Sequence, residues 1–180
     1  MPSILIAEDD LLIATMVEEL LVQHGYAVCG IGRNVTDSLA LAQRHHPDLA
    51  ILDVRLADGD LGTEIAGKLA GNQRLGILYV AGDTTSAMLG DVHGHACLAK
   101  PYRPHELLRS LEIVAEMIVT GEASAPFPSR FWILPWTTCA SANTAKHRFR
   151  SGDPSSADPV QARTGSGALG AREPSWPKRT

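Results

Sequence analysis

The first 120 residues predict an α/β fold, a doubly wound parallel sheet of five strands covered by helices on both faces. Three observations carry that expectation. SILIA (3–7), LAILDV (49–54) and GILYVA (76–81) are apolar runs of strand length, too short for helices. Stretches with helical spacing lie between them. Strand and helix alternate five times, and near-continuous apolar strands separated by helices imply a parallel sheet buried on both sides.

The elements follow in order. Strand one leads into Asp10, which reads as the N-cap of a helix whose apolar face is Ile13, Met16, Val17, Leu20 and Leu21, ended by Gly25. YAVCGI (26–31) is a weaker second strand. Val35, Leu39, Leu41 and Ala42 mark the next helix, which closes before Pro47 with His45 and His46 at its C-terminal end. After the third strand, Asp58, Gly59 and Asp60 make the turn into a helix carrying Ile65 and Leu69. Residues 84–91 predict a short, poorly periodic fourth helix, and HACLA (95–99) a fifth strand. Leu107, Leu111, Val114 and Ile118 space out a long last helix. His24, His93, His95 and His105 read as surface or capping residues, and Cys97 as a small buried hydrophobe.

The chain has 180 residues and a net charge of −4, but that charge is an average over two unlike parts. Residues 1–120 carry a net of −8 and residues 121–180 a net of +4. The second part is rich in Pro, Ser, Gly and Ala without a sustained period, so a boundary is placed near Gly121 and the remainder is expected to be a largely disordered basic tail. Within it, FPSRFWILPW (127–136) concentrates aromatic residues. Phe131, Trp132 and Trp136 are candidates for docking on the first 120 residues or on a partner. Lys146 to Arg150 is a weak basic patch, and the tail lacks the helices of a DNA-binding output domain.

Composition narrows the function classes. No run of eighteen apolar residues occurs, so no membrane span is expected, and the start of the chain does not read as a signal peptide. Cys29, Cys97 and Cys139 form no CxxC pair, which argues against a zinc site or disulfide framework and fits the cytoplasm.

In open parallel sheets, chemistry sits outside the carboxyl ends of the strands. Strand one ends at Glu8, Asp9 and Asp10, strand three at Asp53, and strand five at Lys100-Pro101. Converging carboxylates repel unless a cation compensates. Their oxygens suit Mg2+, and a lysine opposite supplies a positive charge for a phosphoryl oxygen. A carboxylate can itself be the nucleophile that becomes an aspartyl phosphate. The set therefore points to phosphoryl transfer onto Asp53.

AEDD after strand one, PDLAILDVRLADGD around strand three and AKP after strand five, in that order and spacing, resemble the receiver domain of two-component response regulators. The resemblance covers residues 3–119 and implies the flavodoxin-like (βα)5 fold of CheY-like proteins. It implies that Asp53 is the phosphoacceptor, that Asp9 and Asp53 bind Mg2+ directly with the backbone carbonyl of Arg55, and that Glu8 acts through water. Lys100 would bind the phosphoryl group, with the Gly82 amide as a further donor and Pro101 following through a cis bond. The phosphate would come from a sensor histidine kinase or phosphotransfer protein. The expected protein is a single-domain signalling protein, not an enzyme, with output by protein contact and a homodimer through the last helix and tail as a candidate assembly.

Two positions depart from the pattern. Receivers usually carry Thr or Ser where Ala81 stands and an aromatic residue where Cys97 stands. A hydrogen bond to a charged group is worth roughly 1.5–3 kcal/mol, the scale of a switching energy. The usual coupled movement of hydroxyl and aromatic ring is thus not available. Thr84 and Thr85 lie beyond the strand end. Arg55 and Asp83 occupy positions that the resemblance associates with hydrolysis of the aspartyl phosphate. These departures keep an alternative open, a phosphorylation-independent interaction module on the same fold. A haloacid dehalogenase-type phosphohydrolase is excluded because Asp53 is followed by Val54 and Arg55, not by a second Asp two positions on. A nucleotide or flavin binder lacks the glycine-rich loop after strand one.

Overall fold

The computed structural model describes residues 1–71, 74–82, 89 and 92–135. In chain order the elements are β1 (Ser3–Ala7), α1 (Leu11–Gln23), β2 (Ala27–Gly32), α2 (Val35–His45), β3 (Leu49–Asp53), a 3-10 turn (Ala57–Gly59), α3 (Gly62–Leu69), β4 (Gly76–Ala81), β5 (Ala96–Ala99), α4 (Pro104–Thr120) and β6 (Phe131–Ile133). The strands form one sheet in the order β2-β1-β3-β4-β5-β6. The first five are mutually parallel, as the apolar runs predict. The fourth helix expected over residues 84–91 lies outside the described residues.

Alternation along each strand divides the core into two layers. Leu5, Ala50, Leu52, Tyr79 and Cys97 face the layer built with Val35, Ala42, Ile65 and Ala66 of α2 and α3. Ile4, Ile6, Leu49, Ile51, Leu78 and Leu98 face the layer built with Ala14, Val17 and Leu21 of α1 and Leu107, Leu111 and Val114 of α4. Burying each large side chain contributes about 1.5–3 kcal/mol, so the sheet is fixed from both faces.

Local chemistry sets the helix ends. Asp10 accepts from the amides of Leu12 (2.9 Å) and Ile13 (3.3 Å), capping α1 as expected. α2 is capped twice: Asn34 accepts from the Asp37 amide at 2.8 Å, and Asp60 reaches across from the turn after β3 to accept from the Val35 amide at 2.9 Å. Within α1, Met16 is not on the buried face. The helix turns Ala14, Val17 and Leu21 to the sheet, and Met16, 63% exposed, points to solvent with Leu11 and Leu12.

Two further expectations are corrected. The sheet has six strands, because the chain beyond α4 returns to it. Gly121 ends α4 in the left-handed conformation (φ 78°). β6 then pairs antiparallel with β5, placing Phe131 opposite Leu98, Trp132 opposite Cys97 and Ile133 opposite Ala96. Leu134 is buried beyond it. The aromatic run 127–136 is therefore partly a strand, and a tail beginning at 121 does not describe residues 122–135. Trp136 and residues 137–180, including Lys146 to Arg150, lie outside the described residues. The second correction is His95. It is not a surface residue: the side chain is buried where β4, β5 and β6 meet. Its Nδ1 accepts from the Ile77 amide at 3.1 Å, and its backbone carbonyl accepts from the Leu134 amide at 3.0 Å.

Burial holds the His95 imidazole below its usual 6.5. The folded chain thus refuses a proton that the unfolded chain takes up, so this contribution is present above the unfolded pKa and lost as pH falls below about 6.5. His95→Gln keeps an acceptor and cannot titrate. Denaturant unfolding from pH 8 to pH 5 is expected to show wild type losing stability relative to the variant in the acid half of that range. Parallel profiles would contradict the assignment.

Candidate functional site: a strand-end cleft holding two acids and a lysine

The site is made by strand register. Glu8 leaves β1 with its amide donating to the Gly32 carbonyl (3.1 Å), and Val54 leaves β3 with its amide donating to the Val80 carbonyl (3.0 Å). Lys100 leaves β5 with its amide donating to the Ala81 carbonyl (2.7 Å). All three strand ends thus stop at one level. Gly62 closes the cleft behind Asp53: a Cβ there would stand 2.1 Å from the Asp53 carbonyl oxygen, so the start of α3 approaches β3 only because this residue has no side chain. The Lys100–Pro101 bond is cis.

Within the cleft, Lys100 Nζ donates to Asp53 Oδ2 at 2.5 Å and to Glu8 Oε2 at 3.0 Å. The second oxygen of each acid is also engaged, Asp53 Oδ1 by the Arg55 amide (3.0 Å) and Glu8 Oε1 by the Asp10 amide (3.3 Å). The carboxylates are only 13% and 9% exposed, and the lysine 28%. Burial raises the Glu8 pKa, and the Asp53 charge adds to it against the pull of Lys100. Burial works against the Lys100 charge, but its hydrogen bonds and the charges of Asp53 and Glu8 outweigh that, and its pKa rises. The lysine is therefore the counter-ion that lets two acids share one cleft.

The residues singled out from sequence fall unevenly. Glu8, Asp53 and Lys100 are brought into direct contact. Asp9, the residue after Glu8, is half-buried and, among the described residues, makes no hydrogen bond or ion pair. The Arg55 side chain points to solvent, while its amide holds Asp53. Gly82 follows the end of β4, and Asp83, Thr84 and Thr85 lie outside the described residues, so no Arg55–Asp83 pair is described. Ala81 and Cys97 are both buried, and burial pushes the Cys97 thiol up to about 12, an inert group. Phe131 and Trp132 lie on β6, half-buried against opposite faces of the sheet.

Among the described residues, no three His, Cys, Asp or Glu side chains are gathered closely enough to form a metal site by themselves. The cleft instead offers Asp53 and backbone oxygen, with Asp9 next to Glu8 in the chain at the end of β1. Such an all-oxygen set fits Mg2+, which takes one or two carboxylates and keeps water for the rest.

Sequence reasoning missed one polar cluster. Arg109 of α4 donates to Glu112 (3.0 Å), Glu116 (3.2 Å) and the carbonyls of Ser124 (2.7 Å) and Pro126 (3.1 Å). Ser124 in turn donates its hydroxyl to Glu116. The spacing from Arg109 to Glu112 is a readable helical pair; the contact to residues 124–126 has no sequence signal.

Lys100→Met leaves Glu8 and Asp53 facing each other without a counter-ion. A stability loss at pH 7 of about 2 kcal/mol is expected, less than the 3–5 kcal/mol of a fully enclosed pair because the cleft is open to water. Without the lysine, burial and Asp53 raise Glu8 further, so the folded state takes up a proton more readily than the unfolded state. The deficit should therefore shrink as pH falls through that raised pKa. Chemical denaturation at pH 7 and pH 5 measures it; a deficit that grows toward pH 5 would contradict the pairing.

Comparison with known proteins follows the same residues. Residues 4–112 match the family model of the response regulator receiver domain. The chain is 29% identical over 113 residues to the transcriptional regulatory protein PdtaR of Mycobacterium tuberculosis, a match covering 61% of this chain and 55% of PdtaR, so the chain spans about half the length of that relative. It is 30% identical over 115 residues to the polar-differentiation response regulator DivK of Brucella ovis, covering 62% of this chain and 92% of DivK. A CheY-like receiver domain from Methanospirillum hungatei superposes with a TM-score of 0.61 at 25% identity, over 68% of this chain and 99% of that structure. Acids from β1 and β3 gathered under a lysine from β5, on a parallel sheet of order β2-β1-β3-β4-β5, place the chain in the family of response regulator receiver domains.

Proposed function

We propose that this receiver accepts a phosphoryl group on Asp53 from a histidine kinase or phosphotransfer protein in the cytoplasm, and that its output is protein contact. The observation that carries the reading is Lys100 bridging Asp53 and Glu8 at a single cleft. An Asp53 oxygen attacks phosphorus, the oxygen–phosphorus bond forms and the phosphorus–nitrogen bond to the donor imidazole breaks, the donor keeping the electron pair. Lys100 is placed to follow the transferred oxygens as a point charge. The Arg55 amide orients the carboxylate through Oδ1. Mg2+, held by Asp9, Asp53 and the Arg55 carbonyl with Glu8 behind water, would neutralise the charge that accumulates there.

A second reading rests on Ala81 and Cys97. Both are buried and neither offers a hydroxyl or a ring to move, so the same fold also suits a module that binds a partner whether or not Asp53 is modified. The relatives' printed roles, transcriptional regulation for one and polar differentiation for the other, differ enough that no particular output is carried over.

Incubation with acetyl phosphate and Mg2+, read by intact mass, separates these readings. One phosphoryl group is expected on wild type and none on Asp53→Asn, with Lys100→Met slowed at least tenfold, the effect of about 1.4 kcal/mol at the transition state. Failure of wild type to label under conditions that label another receiver would favour the phosphorylation-independent module.

A further inference from the structure

Residues 122–135 occupy the edge that β5 would otherwise present to solvent. The Ala99 amide donates to the Arg130 carbonyl at 2.9 Å, and the Leu134 amide donates to the His95 carbonyl at 3.0 Å. An uncovered strand would leave those groups open to pairing with another chain. β6 also covers apolar surface on both sides of the sheet. Trp132 and Leu134 lie against the layer containing Tyr79, Ala81 and Cys97, and Phe131 lies against the layer containing Leu98, Leu107 and Leu111. Phe127 stacks on Phe131 with ring centroids 6.1 Å apart.

This covering is held at two ends. Arg109 anchors the turn through the Ser124 and Pro126 carbonyls, and the Leu134 amide anchors the far end. The strand between the anchors has only three residues. It is joined to the site by a single residue step. Ala99, whose amide holds β6, precedes Lys100, whose amide holds β4 and whose ammonium holds Asp53 and Glu8. The end of β5 is thus fixed from three directions at once, by β4, by β6 and by the two acids.

We propose that the 122–135 segment is a strap whose hold on the β5 edge is linked to the state of Asp53 through Lys100. In the unmodified protein the lysine reaches both acids from the backbone register that also fits Arg130. A phosphoryl group on Asp53 carries negative charge beyond the carboxylate, outward from the strand ends, and draws the ammonium with it. The Lys100 backbone follows, the Ala99–Arg130 hydrogen bond loosens and the strap lifts. Lifting bares the Ala99 amide, the His95 carbonyl and the apolar surface under Trp132 and Leu134. Because linkage is reciprocal, loosening the strap favours the phosphorylated form in return.

This inference rests on Asp53 being the phosphoacceptor, and the test keeps the two apart. Hydrogen exchange is followed on the full chain in peptides covering 96–99 and 129–135, with intact mass on the same samples. Wild type with acetyl phosphate and Mg2+ should carry phosphate and exchange several-fold faster in both peptides, while Asp53→Asn treated alike stays unchanged. Phosphate on Asp53 with unchanged exchange overturns the strap and leaves the phosphoacceptor reading intact. If no phosphate is taken up, the phosphoacceptor reading fails, and Lys100→Met decides the strap without phosphate. Faster exchange in 129–135 of that variant supports the link; exchange as in wild type overturns it. Arg109→Ala, which loosens the strap from its other end, should bind the phosphoryl analogue beryllofluoride with Mg2+ about twofold or more tightly than wild type, and an unchanged equilibrium affinity contradicts the reciprocity.

Discussion

Lys100 stands between two carboxylates that strands from different parts of the chain bring to the same place, and much of the architecture exists to make that meeting possible. Glu8 and Asp53 are separated by a helix, a strand and a second helix in sequence, yet β1 and β3 are neighbours in the sheet. Parallel strands end on one side, so acids placed just beyond their last apolar residue must converge. That convergence costs free energy through burial and repulsion. The lysine beyond β5, two strands away from β3, offsets it with one ammonium and two hydrogen bonds. Gly62 lets α3 close against the β3 end, and the apolar layers on each face hold the register on which the distances depend.

The departures from the usual receiver pattern and the added strand fall on the same side of the molecule. Ala81 ends β4, Cys97 sits in β5, and β6 is laid along β5 with Trp132 opposite Cys97. At the positions where the family places a hydroxyl and a ring, this chain has small buried groups. Beside them it has an aromatic residue supplied by a strand from outside the family-matched residues 4–112. On the proposed linkage, a conformational change would run along the backbone of β5 into β6 instead of through a hydroxyl at position 81.

Much of this was legible in the sequence because burial on both faces leaves an unambiguous mark. SILIA, LAILDV and GILYVA can hardly be other than inner strands, and the polar residues that interrupt them are the site. What was not legible depended on long-range contacts. FWI reads as part of a proline- and serine-rich tail because composition averages over its surroundings, and its pairing with β5, like the Arg109 contact that holds the preceding turn, is a long-range contact with no local signal. His95 looked superficial because a polar residue before a short strand usually is. In the fold β6 returns past its carbonyl and the side chain is buried. Met16 fits the helical period of α1, but the stripe that faces the sheet is Ala14, Val17 and Leu21. Asp60 read as a turn residue, and its cap on α2 is a contact between elements that no local pattern encodes.

The central claim is that one ammonium is shared by two acids at the strand ends. Carbon-detected NMR titration of the Glu8 carboxyl and the Lys100 side chain in metal-free buffer measures it directly. The account predicts both groups above their ordinary values, Glu8 above 4.5 because it is buried beside Asp53, and Lys100 above 10.5 because both acids hold its proton. Two independent titrations at those ordinary values would mean solvated side chains that do not meet, and would contradict it.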